Sequence, residues 1–304
     1  MLGEVFYWIF NMSLIASFMG CLVLLLRQIK AAPRRISAFL WLVPFLRMCV
    51  PFGIGSRLSL MSLLARYTTR TVTVWQPADP ISFSFMNVMM GANEYFPITY
   101  KVQLLEPLFR TAGVIWIIVT LAILLALGIL YAATCREIRD ARRLEGNVYL
   151  SEKVSGPAVY GIIRPRIVLP AVMEGQDLTY ILQHERTHIR RADNLWRLLG
   201  FFAAALHWFN PLSWIFLKAF LGDLELACDE RAAAAYGEAE RKAYARTLLA
   251  CAEQKSVFAS AFGGAKVRTR IENVLSYQKM TGLAAASFAV LTAAVIWVMI
   301  ANAG

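Results

Sequence analysis

Apolar residues in this chain gather in long uninterrupted runs. Val5 to Leu26, Thr111 to Thr134 and Thr281 to Gly304 contain no charged side chain, and each exceeds the roughly 20 residues an α-helix needs to cross a hydrocarbon core. A fourth run, Ile36 to Ile54, is interrupted by Pro44, Arg47 and Pro51; it reads as a span if Arg47 faces other helices or reaches the interface. Leu198 to Leu217 is also free of charge. Asn210-Pro211 breaks it, and it reads as two helices buried in the protein or lying against the bilayer.

Between the third run and the last, the pattern changes. From Asn147 to Pro170, short β-branched and aromatic runs are punctuated by Gly and Pro, which predicts a small sheet of two or three strands. Asp177 is the expected N-cap of the helix that follows, with Leu178, Ile181 and Leu182 on its buried side.

Composition agrees: 58% hydrophobic residues, 17% charged residues and a mean hydropathy of +0.53 are too apolar for an ordinary soluble domain. The net charge of +11 comes without a basic run interleaved with aromatics, so direct nucleic-acid binding is not expected. Topogenic loops and anionic lipid headgroups account for it. Arg27, Lys30, Arg34 and Arg35 follow the first run, and Arg136, Arg139, Arg142 and Arg143 follow the third. Basic clusters mark cytoplasmic loops. Both are satisfied if the two termini and the loop 55–110 lie outside and residues 135–280 lie in the cytoplasm. A secretory signal is excluded because the first run is too long and no charged segment precedes it. The layout is therefore a membrane region over 1–134 with spans near 5–26, 36–54 and 111–134, a cytoplasmic domain over 135–280, and a last membrane helix over 281–304.

The chemistry is concentrated in His184-Glu185-Arg186-Thr187-His188, two of only three histidines. On a helix, positions i and i+4 share a face, so His184 and His188 can hold one Zn2+ with Glu185 beside them as general base. A catalytic zinc takes three protein ligands. No CxxC pair is formed by Cys21, Cys49, Cys135, Cys228 and Cys251, which are read as packing residues. The acidic segment from Asp223 supplies the third ligand: Glu225 is assigned to the metal and Asp229, at i+4, to a ligand imidazole as outer acceptor. The reverse assignment is also open. His207, nineteen residues past His188, reads either as an oxyanion donor or as a buried structural histidine. The fold class is thus a mainly α membrane protein, with four transmembrane helices plus a cytoplasmic α+β zinc metallopeptidase domain carrying a small β-sheet.

These residues resemble the membrane-embedded antirepressor metallopeptidases of the BlaR/MecR type, gluzincin-like enzymes. The resemblance rests on the HExxH motif followed by Asp193-Asn-Leu-Trp196, His207-Trp-Phe-Asn-Pro-Leu-Ser-Trp214 and Glu225-Leu-Ala-Cys-Asp229, with Gly161 to Pro170 ahead of the motif and Trp41 to Pro51 as the second span. It implies a transducer in which an external signal switches a protease that cleaves itself and leads to inactivation of a winged-helix repressor. It also places Asp193 beside the site, marks Ser260, Ala261 and Phe262 as the self-cleavage region, and leaves room for a homodimer in the lipid. One departure is expected to matter: the chain stops at Gly304, without the penicillin-binding sensor domain of the beta-lactam receptors. Ser276-Tyr-Gln-Lys279 lacks companion motifs and is read as coincidence. The competing functions are a constitutive quality-control metalloprotease and a non-catalytic receptor.

Overall fold

The computed structural model describes residues 2–29, 33–50, 55–56, 105–174, 178–253, 265–278, 281–300 and 302–303. Residues 57–104 of the external loop, the N-cap candidate Asp177 and the cleavage candidates Ser260, Ala261 and Phe262 lie outside them. Among the described residues the chain is mostly helical, with a four-stranded mixed sheet and a two-residue parallel pairing of Gly55–Ser56 with Asn302–Ala303.

Among the described residues two helices are long and apolar enough to cross a membrane: α1 (Leu2–Leu26) and, within α4 (Leu105–Glu137), the stretch from Pro107. They pack along one another through Phe6, Phe109 and Trp116. The other faces of α4 leave Ile118, Leu121, Leu125 and Ile129 59–66% exposed, an apolar surface that suits lipid and not water. The fourth run does not form one helix. It divides at Trp41 into α2 (Arg34–Leu40) and α3 (Leu42–Cys49). Pro44 has no N–H to give the Leu40 carbonyl and its ring crowds that oxygen, so the ladder breaks one turn before it. Arg47 is turned inward, at 5% exposure.

The sheet holds four strands: β1 (Arg142–Glu145), β2 (Val148–Ser151), β3 (Ala158–Tyr160) and β4 (Arg166–Pro170), in the order β1-β2-β4-β3. β2 and β4 are parallel, and the outer pairs are antiparallel. β1 was expected as a basic loop. All four of its residues are exposed, so it carries none of the alternation that marks a half-buried strand. Gly146, at φ +53°, makes the β1–β2 turn, a conformation that glycine adopts without a Cβ penalty. Val148, Leu150, Ile167 and Leu169 bury one side of the sheet against Met173 and Ile181, and Ile181 belongs to α5 (Thr179–Arg190).

α5 is followed by α6 (Asp193–Leu206) and α7 (Pro211–Ala235). The long uncharged run is therefore two helices. Asn210 caps α7 by accepting from the Leu212 N–H at 3.0 Å, and Pro211 occupies the first turn, where no amide proton is needed. The turn lies among the membrane helices. The Asn210 amide donates to Ser13 Oγ and Ser17 Oγ, Trp116 Nε1 donates to the Leu206 carbonyl, and Phe216 packs on Gly20 of α1. Further along, Asp223 of α7 meets Arg27 just past the end of α1. The twelve-residue rise from Pro211 to Asp223 is about 18 Å, close to that from Ser13 and Ser17 to Arg27. α7 thus runs parallel to α1 through the apolar cluster of Ile15, Met19, Trp41, Phe216 and Phe220, and its second half emerges beyond that cluster. α8 (Glu238–Glu253) and α9 (Val267–Leu275) pack on this second half, and α10 (Gly282–Ile300) contains the shorter apolar helix Ala286–Val298.

Candidate metal centre

α5 projects His184 and His188 from one face, one turn apart, toward α7. Their Nε2 atoms are 3.1 Å apart. Glu225 of α7 faces them, with Oε2 3.6 Å from His184 Nε2 and Oε1 3.6 Å from His188 Nε2. An ion held tetrahedrally by nitrogen and oxygen at 2.0–2.2 Å separates its ligands by roughly 3.3–3.6 Å, so this donor set fits a zinc-sized cation. Both imidazoles are nearly buried, at 6% and 4% exposure.

Cys228, read as a packing residue, is also here. Its thiol donates to the His184 carbonyl at 3.4 Å, and Sγ lies within 4.8 Å of donor atoms on His184 and His188. Position 228 is i+3 from Glu225, which was the available signal: both positions share the helix face turned to α5.

The outer contacts divide between the two histidines. His188 Nδ1 lies 2.6 Å from Asp193 Oδ2 at the start of α6. The chain reaches that position through Ala192, whose φ of +53° is rare for alanine and costs about 1–2 kcal/mol. His184 Nδ1 lies 2.8 Å from Tyr244 Oη on α8, and that hydroxyl donates to Asp229 Oδ1 at 2.6 Å. Asp229 is 3.4 Å from His184 Nδ1 directly, so its link to the imidazole runs mainly through the tyrosine. Arg270 of α9 donates to both Asp229 oxygens at 2.7 and 2.8 Å, and Arg197 of α6 donates to Glu225 Oε1 at 2.6 Å. Tyr244, Arg270 and Arg197 were absent from the sequence reading; no motif spacing connects them to the histidines.

Glu185 follows His184 on α5 and is 8% exposed. Its field reaches Tyr160 on β3, whose phenol is raised by burial first and by Glu137 and Glu185 after it. β3 is an edge strand, as a substrate-pairing strand would be. The carbonyls of Val159 within it and of Gly161 just past its end already accept from the Asn194 side chain at 3.0 Å each. His207 is not brought to the cluster. It caps the far end of α6, about 20 Å along that helix, fully buried with Nε2 3.1 Å from the Met48 carbonyl.

The electrostatics describe a site rich in anionic donors. Burial alone would pull the His184 imidazole down, yet Cys228 and the Glu225 carboxylate outweigh it and push it up to about 9. His188 is likewise raised despite burial, chiefly by Glu225 and Asp193. Burial works against the Glu225 anion, but His188, His184 and Arg270 hold its carboxyl well below the usual range. The anionic donors around both imidazoles thus favour positive charge at this point, the charge that a bound cation would supply.

A profile described as BlaR1 peptidase M56 matches residues 7–274, nearly the whole chain. The chain belongs to the BlaR1 peptidase M56 family. Methicillin resistance mecR1 protein of Staphylococcus aureus is 29% identical over 110 residues, which cover 35% of this chain and 19% of that protein. Regulatory protein BlaR1 of Bacillus licheniformis is 27% identical over 187 residues, covering 56% of this chain and 30% of that protein. The matched stretches thus span less than a third of either relative's length. Membership makes the chain a metallopeptidase-family membrane protein, and the two long apolar helices agree with that setting.

Proposed function

We propose that this chain is a signal-transducing integral-membrane zinc endopeptidase of the antirepressor type, which cleaves itself, a transcriptional repressor, or both when an external signal arrives. The observation that carries the reading is the convergence of His184 Nε2, His188 Nε2 and the Glu225 carboxylate within 3.1–3.6 Å of one another. These three would hold the metal. A zinc bound by them would acidify a water and polarise a carbonyl. Glu185, adjacent to His184 and shielded from bulk water, would serve as the base that accepts a proton from the attacking water and gives it to the departing amine. Asp193 orients His188. Asp229 stays outside the metal because Arg270 and Tyr244 already occupy its oxygens.

Four membrane spans, with α2 and α3 together forming the second, outer termini and a cytoplasmic site complete the proposed layout, with a winged-helix repressor as target and a homodimer as one assembly. The names mecR1 and BlaR1 of the relatives support the regulatory part of the reading. Cys228 offers a second assignment of the third ligand, favoured by its donor-atom distances to the histidines. Glu225 is preferred because its two oxygens face both Nε2 atoms, whereas the Cys228 thiol is engaged by the His184 carbonyl.

The test is expression in membranes of wild type and Glu185→Gln, with zinc analysis and N-terminal sequencing of any fragment. Wild type is expected to yield a cleavage fragment and the variant none, with equal zinc in both. A variant that still cleaves removes Glu185 from the chemistry.

A further inference from the structure

Arg270 enters the site from α9, an element that carries none of the residues assigned above to the metal or the proton transfer. Its side chain is 9% exposed. The guanidinium grips both oxygens of Asp229 at 2.7 and 2.8 Å, lies 3.5 Å from Glu225 Oε2, and brings Nη2 within 3.1 Å of His184 Nε2. Removing such a group from water costs several kcal/mol, and only close carboxylates offset that. The two carboxylates, in turn, sit at i and i+4 on α7 and would repel one another without the cation.

The hydrogen bonds have one consistent direction in the neutral imidazole. A carboxylate only accepts, so the single Tyr244 proton goes to Asp229 Oδ1 at 2.6 Å. The phenol oxygen must then accept from His184 Nδ1–H at 2.8 Å. This leaves the Nε2 lone pair aimed at His188 and Glu225.

We propose that Arg270 is a positioning residue of the metal site: its fork fixes Asp229, Asp229 fixes Tyr244, and Tyr244 selects the His184 tautomer that presents Nε2 to the metal. The inference rests on the His184–His188–Glu225 reading above. His188 needs no such relay, because Asp193 meets its Nδ1 directly. The Nη2 contact to His184 Nε2 is one bond that a metal displaces, while the Asp229 fork and the tyrosine bond it aligns are three. Loss of Arg270 therefore weakens the site on balance.

The experiment measures zinc affinity of the full chain in detergent by chelator competition for wild type, Arg270→Gln, Arg270→Lys and Tyr244→Phe. Helix content is followed by circular dichroism. Arg270→Gln and Tyr244→Phe are expected to bind zinc about 10–100-fold more weakly, the usual effect of losing an outer hydrogen-bond partner. Arg270→Lys, which keeps the charge and loses the fork, is expected to fall between. In metal-free protein at about pH 10, 15N spectra of labelled histidine should show His184 shifting from the Nδ1–H toward the Nε2–H tautomer in Arg270→Gln, which loses both the Nη2 donor at Nε2 and the alignment of the Tyr244 acceptor at Nδ1. Zinc affinity within about threefold of wild type in Arg270→Gln or Tyr244→Phe, or an unchanged tautomer in Arg270→Gln, overturns the relay. Should Arg270→Gln fail to fold, Tyr244→Phe decides alone, since it leaves the Arg270–Asp229 pair intact. If wild type itself binds no zinc, the metal centre fails and the relay fails with it.

Discussion

Asp223 is the residue through which the membrane helices hold α7, and replacing it with alanine should loosen that grip measurably. Its carboxylate is fully buried and accepts from Arg27 Nε at 3.1 Å, Arg27 Nη2 at 2.8 Å and Trp41 Nε1 at 2.7 Å. Breaking a buried ion pair costs about 3–5 kcal/mol. The Arg27 side chain is 29% exposed and can rehydrate, so the lower part of that range applies to the pair. Trp41 is wholly buried, and stranding its N–H adds about 1–3 kcal/mol. Asp223→Ala should therefore lose about 4–6 kcal/mol, and Asp223→Asn, which keeps an acceptor, roughly half of that. Chemical unfolding in detergent reads the loss. A double-mutant cycle with Arg27→Ala should give a coupling of about 1–3 kcal/mol. Because Glu225 lies two residues away, zinc affinity should fall along with stability. An Asp223→Ala protein within about 0.5 kcal/mol of wild type would refute the anchoring argument.

Three further outcomes are expected. A Cβ added at Gly20 would lie 2.2 Å from the Phe216 ring, so Gly20→Ala should push α1 from α7 and cost about 1–3 kcal/mol in the same unfolding assay; a neutral substitution would contradict that packing. In metal-free protein His184 is raised from an unfolded value of about 6.5 to about 9 among Glu225, His188, Cys228, Asp229, Tyr244 and Arg270. Its contribution to stability is thus full below about pH 6.5 and lost as pH rises through 9. Zinc affinity should climb across that same window, since the imidazole must release its proton, and a flat affinity profile would oppose the assignment.

The long apolar helices and the pairing of the HExxH face with an acidic segment were legible because each depends on local spacing. Thirty or more residues separate His188 from Glu225, yet one candidate segment and one helical period were enough to place the carboxylate opposite the imidazoles. The second apolar run was read as a single span because hydropathy averages over Pro44, whereas the backbone responds to that one missing N–H. β1 was missed because an exposed basic strand has no apolar alternation. Tyr244 and Arg270 were invisible for a different reason: they reach the site through the packing of α8 and α9 on α7, a tertiary arrangement with no signature in residue spacing. Cys228 was set aside for lacking a cysteine partner, although its i+3 relation to Glu225 placed it on the same face.

The central claim is a single zinc held by His184, His188 and Glu225, and zinc stoichiometry combined with X-ray absorption of the purified chain tests it most directly. The account predicts one zinc per chain in wild type with nitrogen and oxygen neighbours only, retained in Cys228→Ala and lost in Glu225→Ala. A sulfur neighbour near 2.3 Å, or full zinc in Glu225→Ala, would contradict it.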